Sequence, residues 1–192
     1  YGDVRYSKFL LHKELRDAGE AVGNSELLTH QVSKVDQLNS RLLYSLISKR
    51  ELEAYQAGVQ RMNARALLFS FYSLYSQAFK QFGAKEPTAF VFVLSGGIDI
   101  AIVNKGVVES FESLSGFSAQ SLSDALLPVS INALADNITT QERIARLKLS
   151  KLCIFELIQN ETPWQEDLAA KVGLPLHRVP SQSLTLDRQS RR

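Results

Sequence analysis

The sequence predicts a mainly α-helical protein: a multi-helix bundle with one short β-hairpin-like excursion at about 89–103 and an extended C-terminal tail. Three observations carry that expectation. From Ser25 to Phe82 there is no proline and a single glycine, Gly58, while apolar residues recur at helical spacing. A second helix-like stretch runs from Asn137 to Val179. Between them, Ala89–Val103 alone is dense in β-branched and aromatic side chains.

In chain order, Tyr6–Ala21 reads as an amphipathic helix with Phe9, Leu10, Leu11 and Leu15 on one side, closed by Gly19 and Gly23. Leu28, Val32, Val35, Leu42 and Leu46 follow the spacing of a helix–helix seam, with Asn39 at a seam position where a polar residue can set register. Lys49 and Arg50 interrupt that repeat, so a break near Lys49–Glu53 or Gly58 should divide the stretch into two helices. Ala64–Phe82 carries Phe69, Phe71, Tyr72, Tyr75, Phe79 and Phe82, apolar nearly all round, as expected of a helix buried in the core. Ala89–Leu94 and Ile98–Val103, on either side of Ser95, Gly96 and Gly97, fit a hairpin or a strand, loop and helix. Val107–Leu114 looks helical, as does Ser121–Leu134, with Ser123 and Asp124 suited to its first turn and Pro128 expected to kink or split it.

The stretch 137–179 opens on Asn137 or Thr139 as a helix cap, with Glu142 in the first turn. Leu147, Leu149, Leu152, Ile154, Phe155 and Ile158 would make the apolar face of a long helix. Thr162 and Pro163 start a second helix, Gly173 ends it, and Pro175 opens a third element. This arrangement resembles helix-turn-helix and winged-helix domains, with Leu168, Ala169, Val172, Gly173, Leu174 and Val179 where that pattern wants them. The resemblance implies a DNA-binding regulator, or a scaffold subunit that uses the same fold to bind protein. Pro180 departs from it, because proline inside the reading helix removes a hydrogen bond and pushes Val179 out of helical conformation. The expected organisation is one helical domain over 1–179, containing the helix-turn-helix-like subregion 137–179, and a polar, basic tail over 180–192.

Composition narrows the function classes. Hydrophobic residues are 45% and charged residues 22% of the 192, an ordinary globular balance with room for one sizeable core or two small ones. A net charge of +2 does not by itself imply nucleic-acid binding. The single cysteine, Cys153, excludes an internal disulfide and a thiol-rich metal site, and reads as a buried, inert thiol. His12, His30 and His177 have no metal-ligand spacing. No apolar run approaches the ~20 residues of a membrane span. The chain begins with Tyr rather than Met, as if processed or trimmed, and shows no signal peptide. The cytoplasm or another reducing compartment is expected.

Two local patterns remain. The run VLSGGIDI from Val93 to Ile100 resembles the PP-loop of ATP pyrophosphatases, in which a strand, a Ser-Gly-Gly-x-Asp-Ser loop and a helix cradle pyrophosphate. Ser95, Gly96, Gly97 and Asp99 match, while Ile100 stands in place of the final serine. That resemblance implies an ATP-using enzyme; a Gly-Gly turn between two strands accounts for the same letters. The second pattern is the basic C-terminal end: Arg143, Arg146, Lys148, Lys151, Arg178, Arg188, Arg191 and Arg192 are the candidate nucleic-acid or partner contacts. In a helix the first four could not all share one face, though Lys148 and Lys151 could be neighbours. No catalytic residue, metal site or cofactor is expected. Together these features lead to a non-catalytic structural or adaptor subunit of a larger oligomeric assembly, packing through helix faces and tail, with nucleic acid as a further partner. A DNA-binding regulator and a PP-loop-like enzyme are the alternatives.

Overall fold

A computed structural model of the chain describes residues 4–17, 19, 22–34, 40–61, 71–83, 85–94, 97–114, 117, 127–156 and 164–179. The chain divides into two compact units, Tyr1–Phe69 and Ser70–Arg192.

The first unit runs helix α1 (Val4–Asp17), a single 3-10 turn (Val22–Asn24), strands β1 (Ser25–Lys34) and β2 (Ser40–Ser48), and helix α2 (Lys49–Arg61). β1 and β2 form an antiparallel pair from Ser25↔Ser48 to Lys34↔Ser40, with an irregularity between Thr29 and Gln31. The first of the two helices expected here, the one carrying the Leu28–Leu46 seam, is therefore a pair of strands, and the second is α2. The confusion is arithmetical: residues four apart, such as Leu42 and Leu46, share a face in a helix and in a strand alike. Asn39 and Val35 lie outside the described residues. Leu15 and Val22 form a small core with Leu11, Tyr44 and Leu46 packed on it. Phe9 and Leu10, expected on the packed side of α1, are instead exposed. At Ser48 the strand becomes a helix through a serine N-cap. Ser48 Oγ accepts the Glu51 N–H at 3.1 Å and donates to Glu51 Oε2 at 2.8 Å. The break expected near Lys49 is this change of element, and α2 then passes Gly58 without interruption.

The second unit overturns the mainly helical bundle. Helix α3 (Phe71–Phe82) leads into β3 (Thr88–Val93), β4 (Ile98–Asn104) and β5 (Val107–Leu114); α4 (Leu127–Ala145), β6 (Lys151–Glu156), α5 (Trp164–Val172) and β7 (Leu176–Val179) follow. The five strands make one mixed sheet in the order β5-β4-β3-β6-β7. β3, β4 and β5 are an antiparallel meander, whereas β6 lies parallel to β3 and β7 parallel to β6. The excursion at about 89–103 is thus a hairpin, but it is the centre of an α/β sheet.

Three misread segments have distinct physical causes. Leu152–Phe155 is a strand buried on both faces, so it has no alternation to separate it from a buried helix. The helix before it stops at Ala145, where Arg146 takes φ 55°, and the face expected from Leu147 to Phe155 is loop and strand; Ile158 lies outside the described residues. Val107–Leu114 is a strand joined to β4 by a tight turn in which Lys105 and Gly106 both have positive φ, the turn type that matches strand twist. Pro128 opens α4 instead of splitting it, since the first helical turn does not use that N–H. Asn137 and Thr139 lie inside α4 and bond back to the carbonyls of Ala133 and Ala135, each at 2.9 Å. With a strand at β6 and another at β7, the helix-turn-helix-like subregion is absent; Pro175 and Pro180 bracket an edge strand, where proline is tolerated. The tail 180–192 lies outside the described residues.

Period-two alternation assigns the sheet two faces. One carries Ala89, Val91, Val93, Ile98, Ile100, Ile102, Leu152 and Ile154 and is covered by α4 and α5 through Ile131, Leu134, Ile138, Trp164 and Leu168. The other carries Phe90, Phe92, Phe155 and His177 and meets α3. Tyr75 stacks on Phe92 with centroids 3.7 Å apart, Phe79 meets Phe90 edge-on, and Phe82 meets Phe155. Of the aromatic helix read as core, Tyr75 and Phe79 are buried, while Phe69 and the side chains of Phe71 and Tyr72 lie outside what is described. Where α3 ends, Gly83 allows a close approach: a Cβ there would sit 2.9 Å from both the Phe79 carbonyl oxygen and Val103 Cγ1.

Candidate functional site

The motif most suggestive of chemistry lies at the β3–β4 turn. Its turn is closed by Leu94 N–H donating to the Gly97 carbonyl at 2.9 Å; Ser95 and Gly96 lie outside the described residues. A strand follows the turn, so the helix N-terminus that a PP-loop would supply to a phosphate does not form here. Asp99 is the one acid between Thr88 and Asn104. It sits on the α3 face, 8% exposed. Its Oδ2 accepts the Tyr75 hydroxyl at 2.6 Å and its Oδ1 accepts the Ser113 hydroxyl at 2.6 Å. Ser113 is directly across from Asp99 on β5, and Tyr75 comes from α3. Burial, then the bond to Asp99 and its charge, push the Tyr75 hydroxyl far above its ordinary range. Neither partner was visible in the sequence: Tyr75 read as an apolar core residue, and Ser113 as part of a helix.

A second polar group joins β5 to α4. Ser110 Oγ donates to the Gln141 carbonyl at 3.3 Å, and the Gln141 amide donates to Glu112. Among the described residues no group of three or more His, Cys, Asp or Glu could hold a metal. None of their helices is long and apolar enough to cross a membrane.

Cys153 is fully buried, and burial pushes its thiol up from 9.0 to about 11. The neutral form is the one the fold accepts, so the stabilisation is complete below about pH 9. As pH rises, the unfolded chain ionises first, and stability drains away through about pH 11. We expect a loss of about 2–3 kcal/mol from this group, greatly reduced in Cys153→Ala, on comparing urea unfolding at pH 8 and about pH 11. A thiol reagent should label the native chain far more slowly than the unfolded one.

The candidate basic contacts do not form one group. Arg143 lies in the last turn of α4, and Arg146 and Lys148 lie in the turn after it, all exposed. Lys151 begins β6 and pairs with Glu86 at 3.2 Å. Arg178 on β7 pairs with Glu166 of α5. Arg178 is in register with Ile154, three residues from Lys151, so the two cations point to opposite faces of the sheet. Arg188, Arg191 and Arg192 lie outside the described residues.

An antiparallel meander continued by two parallel strands through helical crossovers, with helices on both faces, defines an α/β fold with a mixed sheet. No family model matches the sequence, and no curated protein does. Among solved structures, one match is a PilM–PilN type IV pilus biogenesis complex, with TM-score 0.63 and 10% identity, covering 100% of this chain and 67% of that one. Another is a Bacteroides thetaiotaomicron protein of actin-like ATPase fold and unknown function, with TM-score 0.55 and 11% identity, covering 88% of this chain. The chain spans 59% of that second protein's length. At such identities the likeness shows the fold, and it confirms that the chain is not all-α.

Proposed function

We propose that the protein is a non-catalytic subunit of a larger assembly: an actin-like fold used to hold protein partners, as in a pilus-biogenesis complex of the PilM–PilN kind. The observation that carries this reading is the state of Asp99. A phosphate-handling turn of this kind needs its carboxylate free to hold Mg²⁺ or orient water. The β3–β4 hairpin has one acid, and both of its oxygens are committed to Tyr75 and Ser113. Its turn is also a short strand-to-strand link instead of a strand-to-helix cradle.

Calorimetric titration of the purified chain with MgATP, together with a phosphate-release assay, tests the non-catalytic half. Neither saturable binding in the micromolar range nor turnover is expected. Turnover that disappears in Asp99→Asn would overturn the reading and restore the ATP-using alternative. The assembly half is tested by tagging the protein in its own cell and sizing the native extract. It should migrate well above the size of its own denatured monomer, in fixed ratio with a protein partner, and a free monomer would overturn it.

A further inference from the structure

The geometry points to a partner-docking surface on the α4–β6 turn, formed by Arg143, Ile144, Arg146 and Lys148 and suited to a protein segment with acidic residues around an apolar one. It rests on the reading of the chain as an assembly subunit and names the kind of partner. The turn is fixed at four points. Arg146, in the left-handed region at φ 55°, donates its N–H to the Arg143 carbonyl at 3.1 Å, and Leu147 donates to the Glu142 carbonyl at 3.4 Å. The Leu149 N–H is held by Glu142 Oε1 at 2.8 Å, and Ser150 donates to the Pro87 carbonyl at 2.9 Å. Leu147 and Leu149 pack on the core beneath. A loop anchored this way loses little freedom on binding, which favours affinity.

Among the described residues, nothing neutralises what the turn presents outward. The nearest acid in sequence, Glu142, is turned inward onto the Leu149 N–H. Among the described residues, the salt bridges engage Lys151 and Arg178 instead, and no carboxylate pairs with the three cations of the turn. Beside them Ile144 is 56% exposed. Three cations and an isoleucine suit an acidic, partly apolar peptide. Duplex nucleic acid fits less well: its affinity grows with the number of phosphates neutralised, and among the described residues Lys151 and Arg178 already carry Glu86 and Glu166. Phosphates also gain nothing from an isoleucine.

The test uses the full chain and a fluorescent peptide of about ten glutamates with two central leucines, read by anisotropy at low ionic strength. Binding should be saturable and weaken with salt. Arg143→Ala with Arg146→Ala and Lys148→Ala should weaken it about tenfold, the sum of three exposed ion pairs. Ile144→Ser should weaken it about threefold. Lys151→Ala, on a residue already paired, should leave it within about twofold. Unchanged thermal unfolding would show that the triple variant is folded. Failure of the peptide to bind, equal binding by the triple variant, or tighter binding of duplex DNA than of peptide would each overturn the proposal. Turnover of MgATP with peptide binding intact would instead remove the non-catalytic reading and leave this surface standing.

Discussion

Trp164→Ala should destabilise the second unit by about 3–5 kcal/mol, the range for emptying a large aromatic from a packed interior. Trp164 is the first residue of α5 and has no exposed surface. It belongs to the cluster that joins α4 and α5 to β3, β4 and β6. Its indole N–H donates to Glu156 Oε1 at 2.7 Å, so one side chain ties the start of α5 to the end of β6. Trp164→Phe separates the two contributions. The ring largely refills the space, and because Glu156 is only half-buried, water can replace the lost donor. We expect about 1–2 kcal/mol for that variant. Urea unfolding followed by far-ultraviolet circular dichroism measures both. As the chain's single tryptophan, Trp164 also reports on itself: native emission should be blue-shifted and move red on unfolding. A cost below about 1 kcal/mol for the alanine variant would mean that α5 does not pack on this sheet.

The elements that were legible share one property: a strong local pattern. The aromatic run ending at Phe82 is too apolar for a surface helix, and it supplies Tyr75 and Phe79 to the core. Two β-branched runs around a Gly-Gly pair fitted a hairpin, the one of two readings that the register of β3 against β4 selects. The losses came where two readings share a pattern. Leu42 to Leu46 is one such case, because four is both about one helical turn and two strand repeats. Leu152–Phe155 is another: a strand parallel to its neighbour and covered on both faces is simply apolar. At Val107 a usable signal was present, since Asn104-Lys105-Gly106 is the kind of turn that joins two strands, and it would have corrected the helix placed there.

The candidate site was less legible for a topological reason. Asp99 was visible as an acid in a glycine motif, but its chemistry depends on Tyr75, which lies 24 residues away, and on Ser113, 14 residues away. Only the register of β4 against β5 and the placement of α3 bring these three together. Composition cannot report such a meeting, and motif matching sees only Asp99 and its glycines. The same carboxylate that resembles a phosphate-loop acid by letter is, by position, a brace between a helix and a sheet.

Substitutions at that brace should therefore rank by hydrogen-bond geometry and not by charge. Asp99→Ala takes away the acceptor of the Tyr75 hydroxyl where the residue is 1% exposed, and should cost about 3–4 kcal/mol. Tyr75→Phe removes a donor but leaves Asp99 its bond from Ser113, and should cost about 1.5–3 kcal/mol. Asp99→Asn keeps an oxygen for Tyr75 and turns its amide toward Ser113, whose hydroxyl can rotate to accept; about 1 kcal/mol is expected. Ser113→Ala should cost less than about 1 kcal/mol, because its position is exposed and water can serve Asp99 from that side. Chemical unfolding of the four variants, with a double-mutant cycle across Tyr75 and Asp99, measures the order directly. If Asp99→Asn proved as harmful as Asp99→Ala, the negative charge itself would be required, which a brace does not need and a cation or phosphate site does. The mild asparagine and the severe alanine together are what separate an acid kept for folding from one kept for chemistry.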